Sequence, residues 1–459
     1  MAEFQAVIMA GGKGSRMTDL TAKIPKALLP IGNLPMVWYP INLLERSGFE
    51  DAIIIVPAYF KAEIERALQM CEVKLNLDFV EVPDDEDWGT CDSLRHIKDK
   101  ITTDLLIISC DLIVDFPLNA LADVHRTYDA TVTTLMSVAP ETFTELTAPG
   151  TKSKRKMEHD FVGLDEKGNR LLFLGSDADF EETVTFKKSL LKRHPCINIR
   201  TKLLDGHLYL MKKWVLDYLA EQSSLTTLKG ELVPYLVRKQ FSQAAKVPEK
   251  DLPNANASVI SVATVKDIYG FAVEDNMAGI TREYSSWNDH SGDMEGCYHG
   301  NKIRCYTHIL NEGFLLRANT VATYCEANRQ IAKLLASLRP SKDVKPVHPT
   351  ATVAQKAQVG NDSLVGEGVT IGEKTSIKKS VIGKHCSIGE KVKITNSVIM
   401  DHVTIKEGSN IQGCILCDNA HINEKCDLKD SMVGSGQNIV AMGKFTNEVI
   451  VDVDRMMTI

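Results

Sequence analysis

The sequence predicts two folded units in series: an α/β domain on a mostly parallel sheet, then a parallel β-helix of hexapeptide repeats. Three observations carry that reading. At 459 residues the chain is too long for one ordinary hydrophobic core. Its first two-thirds alternates short β-branched runs with helical patterns. From Val347 onward an aliphatic residue recurs every six positions.

In the first unit, QAVIMA, DAIIIV, LNLDFVEV and DLLIIS read as strands, while MVWYPINLLERSG, KAEIERALQM and CDSLRHIKDK between them read as helices. That order requires crossover connections, hence a sheet covered on both faces. Sites in such sheets lie at the carboxyl ends of the strands. The loop after the first strand and the acid after LLIISC therefore share one rim.

The boundaries fall near residues 310, 345 and 440. Residues 1–310 form the α/β domain and 311–345 a connecting helix and linker, RANTVATYCEANRQIAKLLASL followed by the proline-rich RPSKDVKPVHP. The β-helix occupies 346–440, and 441–459 are a tail. Val347, Val353, Val359, Val365, Ile371 and Ile377 mark the hexads, after which the register slips by one. Val365, Ile382, Ile399, Leu416 and Val433 are then spaced by 17, as are Ile371, Ile388, Ile405 and Ile422, and Ile377, Ile394, Ile411 and Leu428. Each 17-residue unit makes one three-sided turn with one corner tightened, its aliphatic side chains stacked inward. Cys386, Ala420, Ser409 and Cys426 line the corners. Val381, Val398, Ile415 and Met432, one residue before an inward series, offer apolar surface to a partner chain.

Composition narrows the function. A quarter of the residues are charged, 44% are hydrophobic and the formal net charge is −7, which describes a soluble globular chain without a dedicated nucleic-acid surface. The short basic run KSKRK, Lys152 to Lys156, reads as a solvated loop. No apolar run reaches the length of a membrane span and no leader precedes the first strand, so a cytosolic location is expected. Eleven scattered cysteines fit a reducing compartment. Cys414, Cys417 and Cys426 obey the repeat spacing rather than a zinc pattern. His385, His402 and His421 raise the alternative of an acyltransferase general base, but as turn residues of a repeat they read as surface.

The chemistry sits after the first strand. Gly11, Gly12 and Gly14 permit a tight turn that exposes backbone N–H groups to phosphate oxygens, and Arg16 and Lys26 add positive charge. The full stretch GGKGSRMTDLTAKIPKALLPIGNLPM resembles the signature of sugar-phosphate nucleotidyltransferases. The resemblance implies a Rossmann-like nucleotidyltransferase domain, a β-helix of left-handed type, and in-line attack of a sugar phosphate on a nucleoside triphosphate with magnesium held by two aspartates. By position it implies that Arg16 and Lys26 hold the triphosphate, that Asp111 is the first metal ligand, and that Gly89 and Thr90 approach the base and sugar.

Four sites depart from that family. Cys110 replaces the glycine before the metal aspartate, and Asp92 replaces a glycine after Thr90, adding negative charge near a polyanion. The Glu-Lys-Pro that grips the sugar phosphate is absent, VGLDEKGNRLLFL being the nearest stretch. The segment expected to carry the second metal aspartate, RCYTHILNEGFLLRANTVATYCEANRQ, has none. Losing interactions made in the transition state removes rate before binding. The expectation is therefore no catalytic residue, no required cofactor, a vestigial metal ligand in Asp111, and at most weak binding of GTP or another purine nucleotide.

A degenerate nucleotidyltransferase domain joined to a left-handed β-helix resembles the gamma and epsilon subunits of eukaryotic translation initiation factor 2B. PDDEDWGTCDSLRHI, TDLLIISCDLI, ELVPYLVRKQFS and EGSNIQGCIL carry the likeness to the gamma type, and no helical exchange domain is expected after the repeats. The resemblance implies a non-catalytic subunit of a guanine-nucleotide exchange factor. It would pair with epsilon, join alpha, beta and delta subunits in a decamer, and help dock initiation factor 2. The alternative is an active nucleotidyltransferase making GDP-mannose or ADP-glucose. A second acid facing Asp111 would separate the two.

Overall fold

The computed structural model describes residues 1–12, 14–83, 88–139, 147–151, 160–180, 183–242, 267–272, 302–339 and 345–451. In chain order the strands of the first unit are β1 (Phe4–Met9), β2 (Pro30–Ile31), β3 (Leu34–Pro35), β4 (Asp51–Pro57), β5 (Asn76–Val82), β6 (Asp104–Ser109) and β7 (Leu112–Asp115). They continue as β8 (Val132–Val138), β9 (Asp160–Leu164), β10 (Leu171–Ser176), β11 (Asn198–Arg200), β12 (Leu203–Met211), β13 (Cys305–Leu310) and β14 (Phe314–Arg317). The main sheet runs β13-β8-β12-β6-β1-β4-β5, with β12 antiparallel to both neighbours and the other pairings parallel. The four runs expected as strands are β1, β4, β5 and β6. Their β-branched residues face helices on both sides, and Val7, Ile8, Ile54, Ile55 and Ile108 are wholly buried between two separate cores.

The repeat forms three parallel six-stranded sheets. Ile382 pairs with Ile399, Ile388 with Ile405 and Ile394 with Ile411 from coil to coil. All three inward series are buried in one cluster, with Cys386, Cys426 and Ala420 at the corners. Each coil turns on residues of left-handed φ. Gly368, His385, His402, Asn419 and Gly436 make one such column, and Lys379, Asn396, Gly413, Asp430 and Asn447 another. A side chain in that region is strained, and regular pairing on both sides of the corner offsets the cost. The column explains His385 and His402, whose rings stack at 5.3 Å. They are corner residues of a solenoid. Coils continue through Lys444–Thr446 and Val449–Ile450, past the expected end at residue 440.

One expectation is reversed. Val381, Val398, Ile415 and Met432 are not left for a partner chain. They are buried against Met17, Leu29, Ile31, Trp38, Tyr324 and Ile331, seating one β-helix face on the first unit and on helix Val321–Leu338. Polar bonds lock the seam: Asn33 Nδ2 donates to the Ile382 carbonyl at 2.9 Å, and the Gly150 N–H to that of Asp430 at 2.8 Å. The stretch expected as connector also does more than connect. Its Phe314–Arg317 strand pairs antiparallel with β7 and belongs to the first unit. The basic run Lys152 to Lys156 and residues 452–459 of the expected tail lie outside the described residues.

Candidate functional site

The parallel order places the loops after β1 and β6 side by side, where the Cys110 N–H donates to the Met9 carbonyl at 3.1 Å. In the glycine turn only Gly14 is required by the chain itself. Its φ is +72°, and a Cβ there would meet the Thr21 methyl at 2.8 Å. Gly11 would accommodate a Cβ at ordinary contact distance, and Gly12 faces open space. Their small size leaves the backbone approachable from outside. Arg16 stands exposed on the following turn, Ser15–Met17.

Lys26 begins the turn after Pro25, whose extended backbone aims the lysine across the rim. Its ammonium meets Asp111 Oδ2 at 2.5 Å. Arg317, at the end of β14, closes on the same carboxylate from the other side: Nε donates to Oδ1 and Nη2 to Oδ2, each at 3.0 Å. Ser109 Oγ donates to Oδ1 at 2.7 Å. A carboxylate offers about four acceptor sites, and here each oxygen accepts two bonds. Asp111 is fully buried. Burial alone would raise its pKa, but the Arg317 guanidinium and Lys26 ammonium hold it well below the ordinary carboxylate range. Burial opposes the charge of Arg317 as well, and Asp111 more than restores it.

A second polar group adjoins this one. The irregularity of β12 between Asp205 and Tyr209 puts His207 at φ +48° and turns three polar side chains to one side. Tyr209 Oη donates to Asp205 Oδ2 at 2.6 Å, and the His207 N–H to Oδ1 at 2.8 Å. Burial, reinforced by Arg317, drives the His207 imidazole down to about 3, so it is neutral. Lys229 pairs with Asp160 at 2.8 Å. Among the described residues no three of His, Cys, Asp and Glu converge as a metal site. Cys414 and Cys426 donate instead to the Gln412 and Val440 carbonyls, each at 3.2 Å.

The structure brings Lys26 and Asp111 together but commits Gly89 and Thr90 elsewhere. A Cβ on Gly89 would lie 2.2 Å from the Thr226 carbonyl oxygen, which accepts from the Cys91 N–H at 2.8 Å. Thr90 Oγ1 accepts from the Leu228 N–H at 2.8 Å. Glu231 holds this covering segment by accepting from the Thr227 N–H at 3.0 Å. Asp92 is no loose charge facing an anion. It caps helix Thr90–His96 through the Gly89 N–H at 2.9 Å and pairs with Arg95, so its charge is neutralised within one turn. Sequence reasoning missed Arg317, Thr226 and Glu231. Arg317 lay within the segment searched for an aspartate, where a cation was itself the signal.

The sequence profile of the Nucleotidyl transferase family matches residues 5–144, and that of the EIF2B subunit epsilon LbH domain matches residues 347–445. The chain is 32% identical over 380 residues to the translation initiation factor eIF2B subunit gamma of Schizosaccharomyces pombe, covering 82% of this chain and 74% of that one. It is 30% identical over 402 residues to the subunit of the same name from Dictyostelium discoideum, covering 83% and 87%. A mannose-1-phosphate guanyltransferase of Debaryomyces hansenii is 29% identical over 126 residues, covering 27% of this chain and 34% of the enzyme. The likeness to that transferase therefore covers only part of the chain.

Proposed function

The chain belongs to the family of translation initiation factor eIF2B gamma subunits, and from that premise we propose that it is the non-catalytic gamma subunit of the guanine-nucleotide exchange complex. It pairs with the epsilon subunit, joins alpha, beta and delta subunits in a decamer, and helps dock initiation factor 2 in the cytosol. The exchange step resides in another chain. No direct nucleic-acid or membrane contact is part of this role, and among the described residues no helix is long and apolar enough to cross a membrane.

The saturation of Asp111 carries the non-catalytic reading. In an active nucleotidyltransferase two aspartates would hold magnesium, which would supply charge stabilisation to the reacting α-phosphate. Here the residue facing Asp111 is a guanidinium, and both carboxylate oxygens are already bonded by Arg317, Lys26 and Ser109. These residues do not fit a magnesium site. The open backbone of Gly11 and Gly12, with Arg16 beside them, still suits an anion such as GTP or another purine nucleotide, bound weakly and without turnover.

Two measurements test this. Gentle purification of the tagged protein should bring down the epsilon subunit. The isolated chain, given GTP or ATP, magnesium and a panel of sugar 1-phosphates, should release no pyrophosphate above background. Turnover on the order of one per second would sink the non-catalytic reading and restore the nucleotidyltransferase alternative.

A further inference from the structure

Residues 187–202, KKSLLKRHPCINIRTK, hold six lysines and arginines and no acid, in a chain whose formal net charge is −7. The stretch forms helix Lys188–Arg193 and strand β11. β11 ends the sheet β10-β9-β11, so among the described residues it has a strand neighbour on one side only. All three of its residues are exposed, Ile199 at 51%. A cleft of about 280 Å³ adjoins it, lined by Val138, Arg200, Thr201, Lys202 and Leu203.

Nearby acids do not neutralise this edge. On the adjacent β9, Asp160 is held by Lys229 at 2.8 Å. Just beyond β9, Asp165 accepts from the N–H groups of Asn169 and Arg170 at 2.9 and 3.0 Å. Lys188, Lys192, Arg200 and Lys202 form no ion pair among the described residues. Charged side chains on an edge normally repel further strands. Charges of one sign instead select a strand of the opposite sign.

We propose that the β11 edge receives an acidic extended segment of a partner protein as an added strand. The segment's backbone pairs with the outward N–H and C=O groups of β11, an aliphatic side chain enters the cleft beside Val138, and its carboxylates meet Arg200 and Lys202. Pairing of this kind takes affinity from the main chain and specificity from alternate side chains. A single-stranded nucleic acid suits the surface less, because such ligands stack chiefly on Phe, Tyr and Trp rings and residues 187–202 contain none of these.

The test uses the full-length chain and a fluorescein-labelled seven-residue peptide alternating Asp or Glu with Val, read by anisotropy. The comparison ligands are the same peptide with Lys for each acid, a copy N-methylated along one edge, and an oligouridylate. We expect the acidic peptide to bind at least about tenfold tighter than the basic one. N-methylation should abolish binding, and paired Arg200→Glu and Lys202→Glu changes should weaken it by a similar factor. Equal binding of acidic and basic peptides overturns the proposal, and so does undiminished binding of the N-methylated copy. Tighter binding of the oligouridylate assigns the surface to nucleic acid instead. The N-methylated comparison uses the unaltered protein, so it decides the matter even where a charge reversal upsets the sheet.

Discussion

Arg317→Met is the sharpest perturbation of the rim, because it removes one partner of a wholly buried carboxylate while keeping a side chain of similar length. Asp111 would lose two bonds of 3.0 Å and keep Lys26 at 2.5 Å and Ser109 at 2.7 Å. Breaking a buried pair from one side costs about 3–5 kcal/mol, and the surviving lysine sets the expectation at the lower end. With a urea slope of about 3 kcal/mol per molar, a loss of about 3 kcal/mol moves the unfolding midpoint by about 1 M. The assay is urea unfolding followed by far-UV circular dichroism at pH 7. Asp111→Asn with Arg317→Met should cost less than the two single changes added together, the difference being about 2 kcal/mol of coupling. A midpoint within about 0.2 M of the parent for Arg317→Met, or strict additivity, would refute the claim that this guanidinium holds Asp111 in its charged, bonded state.

Other changes probe the remaining parts of the structure. Ile394→Asp puts an unpaired charge at the β-helix centre, between Ile377 and Ile411, and should unwind the coils at a cost of several kcal/mol; a parent-like melting curve would show the inward register to be wrong. Ile415→Asp, on the outward strip, should instead unseat the β-helix from the first unit with the coils intact, read as faster proteolytic separation of the two units without loss of β signal. Asp92→Gly restores the residue of the active family but removes a helix cap, so about 1 kcal/mol of stability should go and no pyrophosphate release should appear. His125 is buried with Nδ1 2.9 Å from Thr133 Oγ1 and, among the described residues, no hydrogen-bond partner for Nε2, and burial drives its pKa down to about 4. Its folded value lies below its unfolded one, so its contribution is full above about pH 6.5 and is lost as pH falls toward 4. His125→Gln should therefore flatten the fall in stability between pH 7 and 4.5 by up to about 3 kcal/mol, and an unchanged slope would exclude His125 as its source.

The β-helix was legible because its rule is local and repeated: every inward position faces the same position one coil away, so a single period fixes register, burial and pairing together. The strip from Val381 to Met432 shows where that stops. A residue one place before the inward series points outward, and periodicity alone cannot tell a second chain from the first unit of the same chain. Helix Val321–Leu338 and the turns around Leu29 and Ile31 decide it. Asp92 was locally legible and yet misread. Glycine at the cap, an acid three residues on and Arg95 three further describe a helix start, and the active family's glycine drew attention to what was lost instead of what the aspartate gained.

Arg317 is separated from Asp111 by 206 residues, and no pattern within either segment joins them. Only the antiparallel pairing of β14 with β7 places Arg317 opposite Leu112, next to the acid. The electrostatics then follow. Asp111 is buried as an anion between two cations of the same chain, Arg317 at 3.0 Å and Lys26 at 2.5 Å. The chain itself thus supplies the positive charge that a buried carboxylate requires. A guanidinium fixed by two bonds cannot travel with a phosphoryl group or shed a water to bind one. With both Asp111 oxygens bonded by Arg317, Lys26 and Ser109, the backbone that stays open on this rim lies at Gly11 and Gly12.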